Sequence, residues 1–300
     1  MNRSSREITQ NNRALQPEGR PSESSVVTPL APPDAAVFET FVVPRYLRWF
    51  GDLACEMLIA PERRGDAIVA HLGCRTGFPD RLLVETLGPM RLVGTDPSLA
   101  ALELARAKAA AIAELSADYR PFDKFPSPLP EGAFTHALAL HPMGRASARL
   151  HFAMEAQRVL LPGGEFVFAL PLRGSFVEIA DLLREYAVKY DAMVVADAVE
   201  AATALRPSPE SLGEELEALG FVDVDVDFRT VGVPFQGGRD LFEDPTTRLL
   251  LIPEWQSNLN LDADRLSAAF AYVREAVDRY WAEGGFELSV HVGCARAFKA

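Results

Sequence analysis

Cysteine is scarce in this 300-residue chain. Cys55, Cys74 and Cys294 are too few, too scattered and too odd in number for a disulfide framework or a zinc site, which leaves buried free thiols in a reducing compartment. No apolar run reaches the length of a transmembrane helix, and the N-terminus lacks the apolar centre of a secretory signal. A cytoplasmic location is the expectation. Positive charge is in deficit, with 30 Lys and Arg against 42 Asp and Glu and a formal net charge of -12. Binding to phosphate is driven by Lys and Arg displacing counterions, so no nucleic acid and no anionic membrane is expected as a partner. A small-molecule or protein substrate is favoured, and association with a protein partner or as a homodimer stays open. Internal repeats are absent. The first 33 residues carry five Pro and five Ser but few bulky apolar groups, so they cannot bury enough surface to offset the entropy of ordering. Residues 1–33 therefore read as a disordered tail.

What is present is a composition 48% hydrophobic, enough for a substantial core in one elaborated domain or two small ones. The most informative stretch runs from Ala67 to Ala109. It holds a short apolar run (AIVAHL), a glycine turn (Gly73-Cys74-Arg75-Thr76-Gly77), a helical segment, a second apolar run (RLVGT) ending in Asp96, and another helix. That layout reads as strand, ligand-cradling turn, helix, strand and ribose-binding carboxylate. Small side chains in the turn let backbone N–H groups and a helix N-terminus approach a polar ligand. A carboxylate closing the next strand can accept from both ribose hydroxyls.

His71-Leu72-Gly73-Cys74-Arg75-Thr76-Gly77 resembles the D-x-G-C-G-T-G turn of class I S-adenosylmethionine (SAM)-dependent methyltransferases, and departs from the G-x-G-x-x-G turn of dinucleotide enzymes. Downstream, VGTDPSLAALELAR is similar to that family's second strand and helix. YRPFDKFPSPLPEGAFTHALALH resembles its third-to-fourth-strand segment, and EAQRVLLPGGEFVFALP its turn into the fifth strand. Four ordered matches span residues 67 to 171. The resemblance implies a Rossmann-like α/β fold: a seven-stranded sheet, mostly parallel, with a C-terminal antiparallel hairpin and helices on both faces. It implies SAM as cofactor. Gly73 and Gly77, with Cys74, would cradle its methionine end, and Asp96 with Pro97 its ribose. Asp123 would face the adenine, and Lys124 and Leu140 are further cofactor-binding candidates.

Two residues depart from the family's first motif. His71 stands where an acidic residue anchors the methionine end; a neutral imidazole accepts from the ligand ammonium, whereas a protonated one repels it. Arg75 replaces the middle glycine, with its side chain expected toward solvent. A working enzyme that methylates a small molecule is one reading. A methyltransferase fold that no longer binds SAM and serves a protein partner is the other, because fold alone does not guarantee activity. A nicotinamide oxidoreductase is disfavoured by the spelling of the turn.

The remaining chain is read by periodicity. Apolar residues at helical spacing from Phe38 to Leu58 predict an amphipathic helix, with Pro44 in its first turn. FETFVVPRYLRWF resembles the family's segment closing over the cofactor, so Tyr46 and Trp49 either line the pocket or simply pack in the core. Residues 34–300 are expected to form the methyltransferase-like domain, with helical additions at about 172–208 and 237–284 that serve as a substrate lid, as padding or as a dimer surface. FVDVDVDFRTV and FELSVHVGCARAFK would pair as the last strands. Methyl transfer needs alignment and, for some nucleophiles, proton removal. His141, just past the fourth strand, is the candidate base, with a loop-capping role as its alternative. His136 and His151 read as packing or surface residues. Asp223, Asp225 and Asp227 alternate on a strand, which fits a solvated face better than a metal site.

Overall fold

The computed structural model describes residues 29–63, 65–141 and 148–300. Its centre is made by the two most apolar strand sequences, β1 (Ala67–Leu72) and β4 (Phe134–Leu140), which pair in parallel. Parallel strands covered by helices on both faces must be apolar throughout, and both strands are almost wholly buried. Around them stand β2 (Met90–Asp96), β3 (Leu115–Pro121), β5 (Leu160–Pro171), β6 (Phe221–Phe235) and β7 (Phe286–Lys299), in the order β3-β2-β1-β4-β5-β7-β6. β7 runs antiparallel to both β5 and β6. This is the seven-stranded, mostly parallel Rossmann-like sheet with a closing antiparallel hairpin. Chain direction reverses between β1→β2 and β1→β4, which opens a crevice at the strands' carboxyl ends.

Helices α1 (Pro32–Val37), α2 (Arg48–Met57), α3 (Asp80–Leu87) and α4 (Leu99–Ala109) contribute to the apolar layer on one face. α5 (Ala148–Val159) and α8 (Pro209–Ala218) fill the layer on the other. The additions are α6 (Val177–Lys189) and α7 (Met193–Ala204) after β5. Within the β6–β7 connection lie α9 (Gly238–Glu243), α10 (Ile252–Leu259) and α11 (Ala263–Tyr280). α11 packs on α6 and α10 on α7, so two additions separate in sequence become one helical cap. None of the described helices is long and apolar enough to cross a membrane.

Two expectations change. Residues 1–28 of the expected tail lie outside the described residues, but Leu30 is buried and Pro32 opens α1, so 29–33 belong to the folded part. The helix over 38–58 also starts earlier, and this places Pro44 inside it. There the chain forms a π-helical segment, Phe38–Leu47. Proline has no N–H to donate and its ring crowds the preceding carbonyl, so a widened turn accommodates it where a regular α-turn would not.

Candidate functional site

β1 ends in a turn whose glycines take positive φ, +69° at Gly73 and +74° at Gly77. A Cβ at Gly77 would stand 2.9 Å from Asp80 Oδ2 and 3.0 Å from the Ala105 Cβ, so only glycine lets the turn lie between α3 and α4. The turn is sewn to the end of β2. Cys74 N–H donates to the Thr95 carbonyl at 3.0 Å, and Arg75 N–H donates to Asp96 Oδ2 at 3.1 Å. Ser98 N–H donates to Asp96 Oδ1 at 2.9 Å, and the Ser98 side chain then caps α4. Asp96 is fully buried.

Arg75 does not point to solvent as expected. It is a non-glycine residue at φ +49°, is buried, and holds its Nε 3.8 Å from Asp96 Oδ2. Attraction to that carboxylate is the physical reason for the inward course. Burial pulls the Arg75 pKa below the usual arginine value, while Asp96 opposes the shift.

His71 is also committed. Its Nδ1 lies 3.0 Å from Asp80 Oδ1, and the Tyr119 hydroxyl donates to Asp80 Oδ2. All three groups are buried. Sequence reasoning missed Asp80 and Tyr119 because they stand 9 and 39 positions from the residues they bind.

Across β1, Leu140 ends β4 in a buried position and His141 follows at φ +41°, its N–H donating to the Ala169 carbonyl at 2.7 Å. His141 Nε2 is 3.0 Å from the Tyr46 hydroxyl, and the ring stands edge-on to Tyr46 and Phe50. Its Nδ1 is buried without a hydrogen-bond partner among the described residues. Burial lowers the His141 pKa, which keeps the imidazole neutral at neutral pH. Pro142, its neighbour, lies outside the described residues.

The N-terminal helices close over this crevice. Glu39 accepts from the Thr76 hydroxyl at 2.6 Å and pairs with Lys108 at 2.6 Å, while Ser98 Oγ donates to the Leu30 carbonyl at 2.8 Å. Tyr46 is fully buried here, but Trp49 is partly exposed and stacked under Arg48. Pro97 is half-buried. Asp123 and Lys124 are exposed just beyond Phe122, whose N–H donates to the Asp96 carbonyl at 3.1 Å. The structure thus brings His71, the glycine turn, Asp96, Pro97, Leu140 and His141 to the ends of three adjacent strands. Asp123 and Lys124 sit at the rim.

Of the other candidates, His136 is buried 3.6 Å from Glu165 and His151 is exposed. Asp223, Asp225 and Asp227 are exposed, and Asp225 pairs with Arg296 at 3.1 Å. Sequence reasoning also missed a buried ion pair in the helical cap, Arg206 with Glu254 at 2.8 Å.

Residues 70–168 match the family model described as a methyltransferase domain. The matched stretch contains the glycine turn, Asp96 and His141, and takes in most of the four motifs that resemble the class I type. Solved structures similar to the chain include the YcgJ protein from Bacillus subtilis (13% identity, 84% of this chain and 98% of that one, TM-score 0.48). Another is the [4+2]-cyclase SpnF (20% identity, 84% and 80%, TM-score 0.45). A third is phosphoethanolamine N-methyltransferase 2 from Haemonchus contortus, with phosphomonomethylethanolamine and S-adenosylhomocysteine (15% identity, 84% and 52%, TM-score 0.45). No curated protein matches.

A methyltransferase domain implies SAM as the methyl donor. The donor set suits it. Two backbone N–H groups occupy Asp96, which leaves acceptor capacity on a carboxylate with about four lone-pair sites. The turn offers glycine where backbone must approach a ligand. The guanidinium of Arg75 stands against the carboxylate oxygen that a ribose would take, so a ribose on Asp96 has to displace it.

Proposed function

We propose that this chain is a SAM-dependent methyltransferase acting on a small molecule in the cytoplasm. The observation that carries the reading is the tie between the glycine turn and Asp96 at the carboxyl end of β2, within the segment that matches a methyltransferase domain. Gly73, Cys74 and Gly77 hold the methionine end. Asp96 accepts from the ribose hydroxyls beside Pro97, and Leu140 walls the crevice. Asp123 meets the adenine at the rim next to Lys124. His71 takes the place of the acidic anchor, its ring oriented by Asp80.

When bound, the cofactor supplies a methyl group already activated on a positively charged sulfur. The protein's work is then to align a nucleophile, exclude water and accept a proton. His141 is the group for the last task. If its Nε2–H donates to the Tyr46 oxygen, the unpartnered Nδ1 carries the lone pair that takes the proton.

Calorimetric titration with SAM and S-adenosylhomocysteine tests this reading. Micromolar binding that is lost in Asp96→Ala supports it. Absence of binding at millimolar ligand sinks it and favours the second reading, a non-catalytic methyltransferase fold that binds a partner. The observation favouring that alternative is the Arg75 guanidinium turned onto Asp96. Under it, His71→Asp with Arg75→Gly would create binding where the native chain has none.

A further inference from the structure

The side chains gathered at the carboxyl ends of β1, β2 and β4 are shut away: His71, Cys74, Asp96, Leu140 and His141 are all buried. A ligand the size of a nucleoside reaches Asp96 only if a covering element moves. The strands cannot supply that movement, because they are paired along their length. The cover is the segment Leu30–Leu47, which buries Leu30, Phe38, Val42 and Tyr46 and is tied to Ser98, Thr76 and His141.

The two halves of this segment are held differently. Behind Pro44, Arg45 is fixed: it lies 3.4 Å from the buried Asp244, donates to the Pro234 carbonyl and stands 5.1 Å over the Phe235 ring. Asp244 is itself held by Thr246 N–H at 2.7 Å, so the β6–β7 insertion supplies a firm post. Ahead of Pro44 the ties are exchangeable. Asp34 meets Arg248 of the same insertion at 3.5 Å, and Glu39 meets Lys108 and the Thr76 hydroxyl, each at 2.6 Å. The side chains of both ion pairs are a quarter to a half exposed, where water and salt compete for the charges. Between the halves, Pro44 sits inside the π-helical segment and donates no backbone N–H. Helices bend where proline and a widened turn interrupt the regular ladder.

We propose that Leu30–Val43 is a gate arm that swings about Pro44, with Asp34–Arg248 and Glu39–Lys108 as its latch. The insertion between β6 and β7 thereby acts on the crevice, since it holds the fixed side of the hinge and one end of the latch. Burial of Phe38 and Val42 draws the arm shut, and the two ion pairs set where it comes to rest. Glu39 joins the arm to the glycine turn, because it accepts from Thr76, the residue before Gly77. The gate stands without a cofactor; its coupling to SAM rests on the reading proposed above.

Amide hydrogen exchange on the full chain without ligand tests the arm by itself. The amides of residues 34–43 should share one protection factor, about tenfold or more below that of α2 on the far side of Pro44. Glu39→Gln and Arg248→Gln each remove one charge from an ion pair of the latch, and each should speed exchange of the whole arm by about two- to fivefold while leaving α2 and β4 unchanged. Arg239→Gln, which breaks the exposed pair with Glu243 elsewhere in the insertion, should leave the arm as it was. Fraying from the chain end would instead give protection that climbs steadily from Asp34 to Leu47. That gradient, equal protection on both sides of Pro44, or indifference to either latch substitution overturns the proposal. Repeating the exchange with millimolar S-adenosylhomocysteine separates the gate from the cofactor reading. Slowed exchange of the arm supports both, whereas an arm that opens as one unit and ignores the ligand upholds the gate and counts against the cofactor reading alone.

Discussion

Arg75 and Asp96 meet at the mouth of the crevice, with the Arg75 backbone N–H 3.1 Å and its Nε 3.8 Å from the same carboxylate oxygen. A ribose bound to Asp96 must displace the second contact and keep the first. Arg75→Gly removes the competitor and places glycine at a φ of +49°, where an L-residue is disfavoured by ~1 kcal/mol. The expected outcome is SAM affinity raised about tenfold or more, read by calorimetric titration. Affinity that is unchanged in the variant would mean that the guanidinium never competes with the ribose.

The His71–Asp80 contact makes a counterintuitive prediction. His71→Asp restores the family's acidic spelling, yet it sets a second carboxylate where Nδ1 lay 3.0 Å from Asp80. Two buried carboxylates at that range cannot both ionise without a large penalty. The variant should lose about 2 kcal/mol or more of stability at neutral pH, by urea denaturation, and regain most of it with Asp80→Asn added. Tyr119→Phe, which strips a donor from Asp80, should cost about 1–3 kcal/mol in the same assay.

These two pairs also mark where the sequence stops being readable. The apolar runs of β1 and β4, the glycines of the turn and Asp96 announce themselves through local pattern, and the seven-stranded sheet with its closing hairpin follows from the family likeness. Local pattern also places α6 to α8 and the β6–β7 insertion within a few residues. It carries no information about which distant side chain answers which. Arg75 was expected in solvent because nothing in its neighbours says that it turns onto Asp96. Arg206 and Glu254, 48 positions apart, look like ordinary surface charges until α7 and α10 are packed together. Pro44 misled for a related reason: proline suits a first helical turn, and only the tertiary structure reveals that a helix already precedes it.

Glu165 gives a pH prediction with a definite sign. Burial pushes its carboxyl up from an ordinary 4.5 to about 7, against the pull of Ile59 N–H and Arg296. Between those values the folded chain holds a proton that the unfolded chain has released, so this group's contribution to stability falls as pH rises from 4.5 to about 7 and is level above. His136, 3.6 Å away, has its pKa lowered by burial and contributes the opposite slope below its ordinary 6.5. Glu165→Gln keeps an acceptor for Ile59 N–H and removes the carboxyl. The wild-type minus variant difference in urea midpoint should therefore decline from pH 5 to pH 7 and then stay constant. A difference that is flat or rising would place the Glu165 carboxyl at its ordinary value.

The helical cap depends on a close approach at Gly238, the first residue of α9. A Cβ there would stand 2.0 Å from the Arg274 carbonyl oxygen of α11, a backbone atom that cannot swing aside. Gly238→Ala should cost about 1–3 kcal/mol, visible as a lowered melting temperature. Gly284→Ala, with nothing within 4 Å of its Cβ, should leave the melt unchanged. Because α11 packs on α6 and the glycine turn lies outside the cap, the damage should be local. At a temperature where Gly238→Ala is still folded by far-UV circular dichroism, amide hydrogen exchange should rise in α6, α9 and α11 while SAM binding is kept. Loss of SAM binding alongside that exchange would mean that cap and sheet fold as one cooperative unit, the cap no more separable than the core beneath it.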